Sequence, residues 1–155
     1  MPRVRANDVE LAYEFHGDEH DPVILLIQGL GLPAAAWPAE FIRLLTSSGY
    51  RVLTFDNRDI GGSTQFEADG LPNLVRLAIR HRLGMRIDVP YTLDDMTRDA
   101  EQLLAALDIR QAHVVGVSMG GMIAQKLALS AGHAVRTLTS IMSTTNDRHL
   151  PQPSF

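Results

Sequence analysis

The stretch His113-Val114-Val115-Gly116-Val117-Ser118-Met119-Gly120-Gly121 constrains this chain more than any other. Val114 and Val115 form a short apolar run suited to a strand buried on both faces. Gly116 to Gly120 then fits G-x-S-x-G, and Met122 to Leu129 continues as a helix. Strand, tight turn, serine and helix is the context in which that pattern forms a nucleophile elbow. The serine must stand at the tip of a strained turn, its hydroxyl above the sheet. Gly116 and Gly120 carry no side chain, so strand and helix can close around that turn. The plainer alternative is a glycine-rich turn with an incidental serine. The flanking strand and helix favour the elbow, and Ser118 is the candidate nucleophile.

At 155 residues the chain has the length of one ordinary domain, with 45% hydrophobic and 21% charged residues. Those fractions belong to a globular protein with a sizeable core. A formal net charge of -4 gives no reason to expect nucleic acid or an acidic membrane as partner. The absence of cysteine excludes disulfides, thiolate metal sites and a cysteine nucleophile. Met1 to Arg5 lacks the apolar core of a signal peptide, and Val23 to Ile27, the longest apolar run, is too short to span a bilayer. The expectation is a soluble cytoplasmic protein with no metal and no cofactor.

Taken in order, Val9, Leu11, Tyr13 and Phe15 alternate with polar or small residues, as in a half-buried antiparallel strand. Asn7-Asp8 suits a hairpin turn from a first strand around Arg3 to Arg5. Val23 to Ile27 is a buried strand that ends in the glycine-rich loop Gln28-Gly29-Leu30-Gly31-Leu32-Pro33. Pro38 suits the first turn of a helix with Phe41, Ile42, Leu44 and Leu45 on one face and Gly49 as its stop. Trp37 reads as a packing residue. Val52 to Phe55 is the next buried strand, followed by the polar turn Asp56 to Ser63, read as structural and stabilised by Arg58 and its two aspartates.

Leu71, Leu74, Val75, Ala78, Ile79 and Leu83 recur at helical spacing. The basic cluster Arg76, Arg80, His81, Arg82 and Arg86 fits a solvated helix face better than an anion-binding patch. Asp88-Val89-Pro90 breaks the pattern. Thr92-Leu93-Asp94-Asp95 has capping-box spacing, with Asp in place of the usual Glu or Gln. A helix should follow, facing the core with Leu93, Met96, Ala100, Leu103, Leu104 and Leu107. The elbow helix should close at Gly132, and Val135 to Met142 forms one more strand. Ser143 to Phe155 reads as loop.

Strands alternating with helices, and no internal repeat, imply a doubly wound α/β layout: a mostly parallel sheet opened by an antiparallel hairpin. In such sheets ligands bind outside the carboxyl ends of the strands. Gln28 to Leu32, Asp56 to Ser63 and Ser118-Met119 converge there. A dinucleotide site has weak support from Gly29-Leu30-Gly31-Leu32-Pro33-Ala34 with Asp56 after the next strand, and Pro33 sits where the helix should already run.

Four stretches carry a family resemblance: Ile27 to Gly31, Trp37-Pro38, Phe55 to Ser63, and His113 to Gly121. In these the chain resembles the N-terminal half of an α/β-hydrolase, near the aclacinomycin-type methylesterases. The resemblance implies an oxyanion hole from the backbone N–H groups of Met119 and Leu30, with Gly29 beside the substrate. Preorganised donors of this kind are worth on the order of 3 kcal/mol each. Gln28 stands where many relatives have histidine, and Asp59 where many have glycine.

The family's order is serine, then acid, then histidine, the last two on loops after later strands. A serine hydroxyl is a poor nucleophile without a base in reach. His113 begins the elbow strand at its far end, His16, His20 and His133 fall near loops on the wrong edge, and His81 lies among the arginines. Asp147 and His149 follow Ser118 in the right order but sit two residues apart on one tail. Residues 1–155 are therefore expected to be the N-terminal portion of one domain, completed by a second chain or fragment with the remaining strands, acid and histidine. Val135 to Met142 should otherwise be left as an unpaired edge.

Three readings follow. One is a serine hydrolase of a small-molecule carboxylic ester, active once complemented and inactive as the isolated chain. The second keeps the same serine but uses peroxide, as cofactor-free perhydrolases do. In the third the chain is a non-catalytic binding fragment or a truncated product.

Overall fold

The computed structural model describes residues 1–66, 89–145, 147 and 149–150. The proposed helix at 71–83, its arginine cluster, His81 and the last five residues lie outside the described residues. Among the described residues, six strands form one sheet in the order β1-β2-β4-β3-β5-β6. They are β1 (Arg3–Ala6), β2 (Val9–His16), β3 (Val23–Ile27), β4 (Arg51–Phe55), β5 (Ala112–Val117) and β6 (Val135–Ile141). β4, β3, β5 and β6 run parallel, while β2 is antiparallel to both β1 and β4. Asn7 and Asp8, at φ 45° and 64°, make the tight β1–β2 turn that an Asn-Asp pair suits.

The central strands alternate their side chains between two layers. Leu25, Ile27, Leu53, Phe55 and Val114 face the larger core, with α2 (Leu93–Ala106) and α3 (Met119–Ser130). Ile24, Leu26 and Val52 face the other side, where α1 (Ala39–Ser47) packs through Phe41, Ile42 and Leu45. Trp37 stacks on Phe41 with ring centroids 5.6 Å apart, as expected of a packing residue. Helices thus cover both faces of a mostly parallel sheet with an antiparallel N-terminal hairpin. No helix among the described residues is long and apolar enough to cross a membrane.

The helix ends follow local chemistry. Thr92 accepts a hydrogen bond from Asp95 N–H, and Asp95 accepts in return from Thr92 N–H, which completes the capping box. Met96, Ala100, Leu103 and Leu104 are buried, as their spacing predicts.

Four details depart from expectation. Leu44 is 52% exposed, because the stripe at Phe41, Ile42 and Leu45 already fills the contact with the sheet. Pro38 caps α1 from outside its first turn. The elbow helix begins at Met119, directly after the serine, and ends at Ser130 with a short 3-10 turn at Gly132–Ala134. Arg58 pairs with neither nearby aspartate. It forms a buried, two-pronged ion pair with Asp99 of α2, both contacts 2.6 Å. Burial opposes the charge on Arg58, and the hydrogen bond and attraction of Asp99 outweigh that and hold its pKa above the ordinary value.

Candidate active site

Strand register builds the site. Ile27 of β3 lies opposite Gly116 of β5. Two residues further along each strand are Gly29 and Ser118, which the parallel alignment carries to the same sheet edge. They meet there: a Cβ on Gly29 would stand 3.4 Å from the Ser118 Cβ. Leu26 likewise lies opposite Thr54 of β4, so Asp56 and Asn57 emerge beside Gln28. The three segments that the sequence places at the carboxyl edge are brought together.

Ser118 has φ 53° and ψ −119°, a conformation L-residues rarely adopt. Its backbone is held from three sides. Ser118 N–H donates to Ile141 O at 2.9 Å, and Gly121 N–H and the Ser143 hydroxyl donate to Ser118 O at 3.0 and 2.8 Å. The glycines make the turn possible. A Cβ on Gly116 would overlap the Gly120 backbone, and one on Gly120 would overlap the Ile27 and Gln28 carbonyls. The serine side chain is exposed, with no hydrogen-bond partner among the described residues.

Met119 opens α3, so its N–H has no carbonyl one turn earlier to donate to. Neither the Met119 nor the Leu30 N–H makes a hydrogen bond among the described residues. The Leu30 side chain is 78% exposed, and Met119 packs partly against the larger core. Gly29 N–H is turned inward onto Gln28 Oε1 at 3.1 Å. Two unengaged amides thus directly follow Gly29 and Ser118 in the chain.

No histidine is brought to Ser118 among the described residues. His113 Nδ1 contacts Thr137 Oγ1 at 2.8 Å and its ring meets Tyr50 edge-on, at the amino end of β5. His16 pairs in register with Val52, at the amino end of the parallel strands, and lies 3.8 Å from Glu14. His20 lies 3.7 Å from Glu19 in the loop between β2 and β3. His133 sits just before β6, at the amino edge. His149 N–H donates to Asp147 Oδ1 within the tail.

Behind the site, Phe66 and Tyr91 enclose the Arg58 guanidinium at 5.4 and 5.1 Å from their ring centroids. Burial, then a hydrogen bond with Asp59, pushes the Tyr91 phenol up to about 12. Asn7 Nδ2 donates to Asp99 Oδ1 at 2.9 Å and ties the hairpin turn into the same cluster. This network was not legible from the sequence, because its three segments, at Asn7, Arg58 to Phe66 and Tyr91 to Asp99, are dozens of residues apart.

Residues 22–154 match the family model described as alpha/beta hydrolase fold. The chain belongs to that family. It is 35% identical over 144 residues to rhodomycin D methylesterase DauP of Streptomyces sp. (strain C5), covering 93% of this chain and 42% of that protein. It is 36% identical over 149 residues to rhodomycin D methylesterase DnrP of Streptomyces peucetius, covering 95% and 44%. Among solved structures it resembles a hydrolase from Pseudomonas aeruginosa PA01 at a TM-score of 0.68 and 30% identity, covering 88% of this chain and 43% of that one. The chain therefore spans less than half the length of the curated relatives it matches.

Proposed function

We propose that these residues form the nucleophile-bearing part of a serine hydrolase acting on a small-molecule carboxylic ester. The Ser118 hydroxyl attacks the ester carbonyl, and its proton passes to a histidine that an acid orients. The N–H groups of Leu30 and Met119 receive the developing oxyanion, and Gly29 leaves room for the substrate beside the serine. Collapse of the intermediate expels the alcohol, and water then releases the acid from the acyl-enzyme. The observation that carries this reading is the strained φ of Ser118 with an exposed side chain at the carboxyl edge, beside Gly29.

The histidine and acid belong to later strands and loops of the fold, outside residues 1–155. The positions of the described histidines support this, since none is joined to Ser118. The methylesterase relatives favour a methyl ester among carboxylic esters. Covalent labelling by a fluorophosphonate probe tests the reading: the completed hydrolase should label at Ser118 and lose the label in Ser118→Ala. Labelling that persists in that variant would overturn it.

A further inference from the structure

The turn after β4 carries chemistry beyond a structural role. Asp56 and Asn57 are 3% and 2% exposed, yet neither side chain is spent within its own turn alone. Asn57 Nδ2 donates to Gln28 O at 3.3 Å, at the start of the glycine-rich loop. Asp56 Oδ1 accepts from Ala34 N–H at 2.7 Å, at the loop's far end. The other oxygen, Oδ2, accepts from Gly62 N–H at 2.9 Å, which anchors the carboxylate to its own turn. Gly61, at φ 52°, has no room for a Cβ because that carboxylate lies against it. The loop that holds Leu30 is thus clamped at both ends by adjacent residues of β4's extension.

Between the clamps Gly29 is buried beside Ser118 and Val117, and from Leu30 to Leu32 the loop has little to fix it. Its one internal backbone bond, Leu32 N–H to Gly29 O, is long at 3.4 Å, and Leu30 and Leu32 are exposed. The direction of the Leu30 N–H is therefore set by where Gln28 and Ala34 are held. We infer that Asp56 and Asn57 are positioning residues for the oxyanion hole, a conclusion that rests on Ser118 and Leu30 acting as proposed above. They touch no substrate. They hold the loop so that its free amide faces the carbonyl Ser118 attacks.

Misplacing a catalytic group by about 1 Å costs about 100-fold, and losing an oxyanion donor 100- to 1,000-fold. In the completed hydrolase, Asn57→Ala and Asp56→Asn should each lower kcat by about 10- to 100-fold while KM stays within about threefold. The rate of fluorophosphonate labelling should fall in parallel, because its phosphoryl oxygen uses the same hole. Thr64→Ala removes the exposed bond from Glu10 N–H at the distal end of the same turn and should leave kcat unchanged. Asp56→Asn sets its amide NH2 against one of the two N–H groups and is the variant at risk of not folding. Asn57→Ala loses a single bond and decides the matter by itself. Unchanged kcat and labelling in a folded Asn57→Ala, with Ser118→Ala inert, overturns the positioning role and leaves the nucleophile standing. Persistent labelling in Ser118→Ala overturns the nucleophile instead.

Discussion

At Ser118 the chain accepts a backbone conformation that costs about 1–3 kcal/mol, and neighbouring residues hold it there. Ile141, Gly121 and Ser143 bond its amide and carbonyl, and Gly116 and Gly120 let the turn close. Because the obstacles around Gly120 are the Ile27 and Gln28 carbonyls, no side chain can rotate away to make room. Gly120→Ala should therefore destabilise the fold by about 3 kcal/mol, at the upper end of ordinary overpacking, as read by urea unfolding. A change below about 0.5 kcal/mol, the range of neutral surface substitutions, would mean that helix and strand are not held as described. The tight strand-to-helix turn at Ser118 was legible in the sequence because its strand, glycines and helix start are consecutive, while the bonds from Ile141 and Ser143 were not. Arg58 was not. Its partner Asp99 lies 41 residues away on a helix, while two aspartates adjacent in sequence were the obvious choices. Asp56 and Asn57 were hidden for the same reason, since their partners are 22 and 29 residues distant.

At the scale of the element, α2 shows how far a local signal can be taken. Its capping box was readable from Thr92 and Asp95, and its apolar spacing gave the buried face. Hydrogen bonds from the Thr92 hydroxyl and backbone N–H, with weaker attraction from Arg58 and Arg98, hold the Asp95 carboxyl below its ordinary pKa. A carboxyl whose pKa is lower folded than unfolded contributes its stability above the unfolded value. That contribution is lost as pH falls through the folded value. Thr92→Ala should thus cost about 1 kcal/mol at pH 7, and the cost should shrink below about pH 4 as Asp95 protonates. Asp95→Asn should flatten the same acid limb. Equal losses from Thr92→Ala at pH 7 and pH 3 would show that the ionised carboxylate is not part of the cap. By contrast, α1 shows where periodicity overreaches: four apolar residues fit one face, and the sheet has room for three of them, leaving Leu44 outside.

For the molecule as a whole, the position of β6 matters most. Alternation of strands and helices gave the class of fold, but sheet order depends on pairing partners that no local pattern names. The observed order sets β3 and β5 inside and leaves β6 bonded to β5 on one side, with no strand on its other side among the described residues. Arg136 to Ser140 are all exposed, Leu138 at 41%, and Met142 just beyond is 82% exposed. An edge of this kind leaves a row of backbone donors and acceptors open to another strand. Its carboxyl end also holds Ser118 through Ile141 and Ser143, so whatever covers β6 bears directly on the elbow. Local stability should be uneven as a result. By amide hydrogen exchange on the 155-residue chain, the β6 amides are expected to exchange at least about tenfold faster than those of β3. That ratio corresponds to about 1.4 kcal/mol of local opening. Addition of the completing part of the fold should slow β6 selectively and restore Ser118 labelling together. Native mass spectrometry should then show that part bound. β6 amides as protected as those of β3 before that addition, and unchanged by it, would overturn the reading of β6 as an open edge.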